Sequence, residues 1–207
     1  MSDSVEKSLS QREQQRLETR RRLFLAALDV FRRDGVQGCR IEDIATQAGV
    51  SRAAFYFHFP TKEAVLAELL GESEANFVEA VAGLPESASI EEVVDCTAEA
   101  MASSWSTDAP LFVEVGAVAL RRTAESLVNR EDAYGIREEL ARRFELASDR
   151  QELIPGVPPQ ALADLILASF FAVAMGWTHT RPEVSLETAL RGAGFIFLHG
   201  ARSRSSR

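Results

Sequence analysis

The chain is poor in the residues that staple small folds or carry bond chemistry. Two cysteines, Cys39 and Cys96, stand in 207 residues; that is too few for a disulfide framework, and neither has a second ligand at metal-binding spacing. A reducing cytoplasm and no structural metal are the expectation. The three histidines, His58, His179 and His199, are scattered. No Ser/His/Asp set, His-Glu-x-x-His or glycine-rich phosphate loop is present, so an enzyme is the disfavoured class and no cofactor is expected. The polar N-terminus has no apolar signal core. The longest apolar run, Ala161 to Trp177, is short for a membrane span and carries Asp164, so no membrane is expected as a partner.

What is present is an ordinary globular composition, 46% hydrophobic and 26% charged, in a chain long enough to bury a sizeable core as one domain or as a small domain joined to a larger one. The net charge of -8 is unevenly placed. The first 70 residues hold 11 Lys/Arg against 10 Asp/Glu, which leaves 12 against 21 for the rest. DNA affinity depends on charge where the phosphates sit, so an acidic remainder does not prevent the first part from binding DNA.

The richest stretch runs from Arg40 to Leu70, where three helical patterns follow one another with almost no connecting chain. Ile41, Ile44, Ala45 and Ala48 recur at three- and four-residue spacing and predict a short helix with one apolar face. Gly49 supplies the left-handed residue a sharp reversal needs, Val50 plugs the corner, and Ser51 caps the next helix. In that helix Phe55 and Phe59 face inward, leaving Tyr56, Phe57 and His58 outward. Such aromatics either pack on a neighbouring helix or form a working surface. In a helix-turn-helix the second helix enters the major groove N-terminus first, which points Ser51, Arg52, Ala53 and Tyr56 at bases and phosphates. Pro60 stops it and Thr61 caps an exit helix whose first turn contains Lys62, a cation at the unfavourable end of a helix dipole. A phosphate held by Thr61 and Lys62 would offset that cost.

The run VSRAAFYFHFPTKEAVLAELL resembles the signature of the TetR (tetracycline-repressor) family of bacterial transcription regulators, carried by Tyr56, Phe57, His58, Phe59, Pro60, Thr61, Lys62 and Glu63. With the helix that precedes it, from Ile41, it covers about a seventh of the chain. The resemblance implies an all-α protein with an N-terminal three-helix DNA-binding domain over residues 1–60, ordered from about 10. A helical ligand-binding and dimerisation domain over 61–201 follows, then a disordered tail at 202–207. It also implies that the exit helix is the mechanical link, since its tilt sets the distance between two DNA-reading heads. One position departs from the family pattern: a Thr or Ser commonly caps the first motif helix, and here Cys39 and Arg40 stand instead. Arg40 is therefore a candidate for phosphate contact in place of a hydroxyl.

Elsewhere, Ser10 and Glu13 suggest a capping box, and Leu17, Phe24, Ala27, Leu28 and Phe31 mark one face of a helix ending at Asp34-Gly35. Arg12, Arg16 and Arg20 form a stripe on it, either a solvated face or a phosphate contact. The exit helix should end near Gly83-Leu84-Pro85. Further helices are predicted from Ser89 to about Trp105, from Asp108-Ala109-Pro110, from about Asp132 to Gln151, over Ala161–Trp177, and from Ser185. Met101, Trp105, Phe112, Val115, Phe171 and Met175 are candidates for a ligand cavity, with core packing as the alternative. The Ala161–Trp177 run is apolar all round and must be covered all round. Leu162, Ile166, Phe170, Val173, Trp177, Leu190, Ala193 and Phe197 are the candidates for a four-helix interface across a two-fold axis, with Gly176, Gly192 and Gly194 permitting close approach.

The expected function is a homodimeric repressor released from a near-palindromic DNA operator by a small hydrophobic effector. A ligand-independent DNA-binding regulator and an enzyme with an appended helix-turn-helix are the alternatives.

Overall fold

A computed structural model describes residues 10–105, 111–119, 121, 135–153, 155–180 and 183–201. The mobile start at Met1–Leu9, the disordered tail, and the helix starts at Asp108-Ala109-Pro110 and Asp132 are expectations outside those residues. The protein is all-α and divides into two compact units, Met1–Leu66 and Ala67–Arg207.

In the first unit, α1 (Gln11–Asp34) begins at a capping box. The Ser10 hydroxyl accepts from the Glu13 amide, and the Glu13 carboxylate accepts from the Ser10 amide at 2.9 Å, which satisfies two orphan donors at once. Gly35 ends the helix. Burial on α1 starts only at Leu23 and includes Phe24, Ala27, Val30 and Phe31; Leu17, expected on the same face, lies before that point and is 52% exposed. Next come α2 (Ile41–Gln47) and α3 (Arg52–His58). Between them the Val50 amide bonds the Ala45 carbonyl at 2.9 Å while Gly49 takes φ 66°, a backbone conformation that costs glycine nothing and a side chain roughly 1–2 kcal/mol. A core of Leu23, Phe24, Phe31, Ile44, Phe55, Phe59 and Val65 closes the unit.

Helix α4 (Lys62–Ala82) starts in the first unit and continues without a break into the second. The second unit continues with α5 (Ile90–Trp105), a helix over residues 111–119 (α6), α7 (Gly135–Asp149), α8 (Pro159–Thr180) and α9 (Leu186–Ala201). Ser89 and Glu92 form the predicted box before α5. The end of α7 is closed by Gln151 at φ 61° with the Glu152 amide on the Ala147 carbonyl. Helix α8 packs on α7 and α9, and α9 packs on α5. Phe144, Phe170, Leu140, Ile166 and Leu190 are fully buried there, each worth about 1.5–3 kcal/mol of apolar transfer. Gly194 permits the α9 approach: a Cβ there would stand 2.6 Å from Val94 Cγ1.

A buried cation finishes α4. Arg143 on α7, only 3% exposed, donates to the carbonyls of Val81, Ala82, Leu84 and Pro85 and pairs with Glu139 at 2.9 Å. Arg150 does the same for Glu86 and Ala88. The Val81 and Pro85 carbonyls also accept from the Leu84 and Ala88 amides, whereas Ala82 and Leu84 take their donor from α7.

The structure revises the reading of α8. It has 22 residues, and a stretch of 18 within it has a mean hydropathy of 1.7, so by length and composition it could cross a membrane, contrary to the expectation that the run is too short. One of its faces packs into the core of the second unit. Leu162, Ala163, Ile166, Phe170 and Ala174 are buried, and Asp164 holds the Arg137 guanidinium in a two-point ion pair.

Candidate nucleic-acid interface

Helix α3 has one buried face and one bare one. Phe55 and Phe59 are fully buried and their rings lie 6.0 Å apart, which fixes the rotation of the helix. Ser51, Arg52, Ala53, Tyr56 and Phe57 are consequently exposed, with Tyr56 at 44% and Phe57 at 73%. Two exposed aromatics side by side make this face a candidate interaction surface. The Ser51 hydroxyl accepts from the Ala54 amide at 3.2 Å, so its own hydrogen remains available to an acceptor.

The two ends of α3 are held differently. At its start Arg52 pairs with Glu42 of α2 at 2.9 Å and sits 5.6 Å over the Tyr56 ring; hydrogen bonding to Tyr56 and the Glu42 charge push the guanidinium pKa further up. At its end Arg20 of α1 donates to the His58 carbonyl and stacks 4.2 Å over the Phe59 ring. His58 is half-buried, with its ring 5.1 Å from Phe57. Burial, then the charges of Arg20 and Arg16, lower its pKa below the usual imidazole value.

Thr61 caps α4, its hydroxyl accepting from the Ala64 amide at 3.3 Å. Lys62 differs from the expectation. Its ammonium donates to the carbonyls of Val36, Gln37 and Cys39 at 2.6, 3.4 and 3.3 Å, so the offset sought from a phosphate comes from the loop between α1 and α2. Sequence spacing cannot show this, because the partners lie 23 to 26 residues upstream. Arg40 occupies the N-cap position of α2 without a side-chain cap and is exposed. Cys39 is not the cap: its thiol is buried on the Val36 carbonyl, and desolvation pushes its pKa up. Glu42 and Arg20 are partners of α3 that spacing does not reveal, since it places Arg20 only in a basic stripe.

In the second unit the six cavity candidates are packed side chains. Trp105 and Phe112 meet edge to face at 5.3 Å, and Phe112 and Phe171 lie 5.5 Å apart. Trp105, Phe112 and Val115 are buried, and Met101, Phe171 and Met175 half-buried. A half-open pocket of about 470 Å³ lies along α4 and α5, lined by Asn76, Ala80, Cys96, Glu99, Ala100, Ser103 and Ser104, and none of the six lines it. Helical periodicity identified apolar positions but not which face of α5 would be left unfilled.

The interface candidates fall into two groups. Leu162, Ile166, Phe170 and Leu190 are buried in the chain's own core, and Val173, Trp177, Ala193 and Phe197 are half-buried. Gly194 faces Val94 and Phe170 of the same chain. The apolar stripe left bare is Leu165, Ala168 and Ala172 on α8 with Phe195 and Ile196 on α9, Ile196 being 74% exposed. A helix apolar on all sides gives no phase from which to choose the covered face.

Comparison with known proteins agrees with this geometry. Residues 23–69 match the model of bacterial regulatory proteins of the tetR family. The chain is 44% identical over 57 residues to the transcriptional regulator SrpR of Pseudomonas putida, 28% of this chain and 27% of that protein. It is 52% identical over 46 residues to CymR of the same organism, 22% and 23% of the two chains. The alignments thus span about a quarter of these relatives. The whole fold is similar to that of the Thermus thermophilus repressor FadR, with a TM-score of 0.69 at 24% identity over 90% of this chain and 97% of that one. The helix-turn-helix segment thus matches the tetR family of bacterial regulatory proteins in sequence, and the chain as a whole is similar in fold to a repressor of that family.

Proposed function

We propose that the protein is a homodimeric, sequence-specific DNA-binding repressor that acts in the cytoplasm and leaves a near-palindromic operator when a small hydrophobic ligand binds the second unit. The observation that carries the DNA-reading part is the bare face of α3, where Arg52, Ala53, Tyr56 and Phe57 are exposed opposite a fully buried Phe55. Ser51, Thr61, His58 and Arg40 flank that face as phosphate contacts, and Lys62 acts by holding the loop behind it. Two heads about 34–36 Å apart would read successive major grooves. The stripe of Leu165, Ala168, Ala172, Phe195 and Ile196 supports a second copy as the partner, because a self-complementary apolar patch buries itself on two-fold pairing. The ligand class is supported by likeness to FadR of Thermus thermophilus, solved with lauroyl-CoA.

Duplexes selected from a random-sequence pool by the wild-type protein provide the test. Arg52→Ala and Tyr56→Ala should abolish discrimination between a selected duplex and its scrambled version while the helical circular dichroism is unchanged. Retained discrimination in both variants refutes the assignment of α3. Thermal-shift screening of a hydrophobic library tests the ligand, since binding to the folded state alone raises the melting temperature; an absence of hits favours ligand-independent regulation.

A further inference from the structure

We infer that Glu42 is a specificity-determining residue: it buttresses Arg52 so that the guanidinium reads a guanine edge in the operator rather than a phosphate. The inference rests on the DNA-reading assignment of α3. Three observations carry it. Glu42 on α2 reaches across the turn to Arg52 Nη1 at 2.9 Å. The guanidinium also lies over the Tyr56 ring at 5.6 Å, so it is held from two sides, by one residue of each helix in the motif. Arg52 nevertheless keeps 60% of its side chain in contact with solvent, which leaves the outer part of its five-donor fork free.

Stability does not account for the pair. An ion pair between two side chains this exposed contributes little to folding, and a carboxylate on a DNA-facing surface repels the phosphates that supply most of the affinity. Both facts make Glu42 a poor residue for general DNA attraction. They fit a residue that restricts a neighbour. A free arginine swings to the nearest phosphate, whereas an arginine held by Glu42 at Nη1 and by Tyr56 presents its remaining donors in a single direction. Those donors match the O6 and N7 acceptors of guanine, the commonest specific contact in the major groove. The carboxylate adds selectivity by disfavouring the phosphate-bound alternative.

The experiment is selection of duplexes from a random-sequence pool by the full-length wild-type, Glu42→Ala, Arg52→Ala and doubly substituted proteins, followed by affinity measurement on selected and unselected duplexes. Wild-type protein should enrich a guanine at one fixed position in each half-site. Glu42→Ala should lower the preference for that guanine about tenfold, yet bind unselected duplexes several-fold more tightly because a negative charge is gone. Arg52→Ala should lose the guanine, and adding Glu42→Ala to it should change the base preference no further. If Glu42→Ala tightens all duplexes alike and keeps the guanine, Glu42 is only a repelling charge and the inference is overturned. The same holds if no enriched position responds to Arg52. If the wild-type protein enriches no sequence at all, the DNA-reading assignment itself falls, and this inference with it.

Discussion

Arg20 closes the C-terminal end of α3 from a helix that begins more than forty residues upstream: its guanidinium donates to the His58 carbonyl and lies 4.2 Å over the Phe59 ring. A charged donor on a helix's last carbonyl completes an orphan acceptor and opposes the dipole favourably. Arg20→Gln should therefore lower the stability of the first unit by about 1–3 kcal/mol, read by chemical denaturation. It should also weaken binding to a selected duplex without changing the slope of log affinity against log salt. A phosphate contact would instead flatten that slope by about 0.9.

Lys62 obeys the same logic. With three carbonyls of the loop between α1 and α2 on its ammonium, Lys62→Met should increase protease cleavage between residues 35 and 40 and leave the salt slope intact. A slope reduced by about one unit would make Lys62 a phosphate contact after all.

His58 predicts an acid-sensitive first unit. Burial and then Arg20 and Arg16 depress its folded pKa, so the unfolded chain binds the proton more readily. The stability this residue contributes is present above the unfolded value of about 6.5 and is lost as pH falls through the folded value. Denaturation midpoints should drop on acidification below about pH 6.5, and His58→Gln should flatten that dependence.

Removing Arg143 should cost about 3 kcal/mol or more, because Arg143→Met takes the donor from the Ala82 and Leu84 carbonyls and leaves Glu139 with Arg142 alone. The variant's thermal unfolding reports the loss. A change within error of zero would mean that water replaces the guanidinium.

The α8–α9 stripe predicts assembly. Ile196→Glu places a charge on the most exposed apolar side chain described, so light scattering on a sizing column should show a monomer, with the helical circular dichroism unchanged. A persistent dimer would move the interface elsewhere.

Much of the architecture was legible because its signals are local. Ser10 with Glu13, Ser89 with Glu92, Gly49 before Val50 and Pro60 before Thr61 each mark a boundary through bonds made within a few residues. The bare face of α3 followed from Phe55 and Phe59 at one-turn spacing. Partners far apart in sequence were not legible. Lys62 with Val36, Arg20 with His58 and Arg143 with Val81 are joined only by the folded chain. Phase was lost wherever apolarity was continuous: α8 offered no polar face to say that Ile166 turns inward while Leu165 turns outward.

The end of α4 has a kinetic consequence. Its last carbonyls, Val81 and Ala82, accept from Arg143, about sixty positions downstream, with only the Leu84 amide as a local donor to Val81. The final turn and the loop to α5 can therefore reach their full complement of bonds only after α7 has docked, and closing so long a loop is slow compared with helix growth. In a refolding pulse-labelling experiment, the amides at the start of α4 should gain protection before those of residues 83 to 88. The helix is thus completed in two steps, with one end set by its own sequence and the other by the arrival of a later part of the chain.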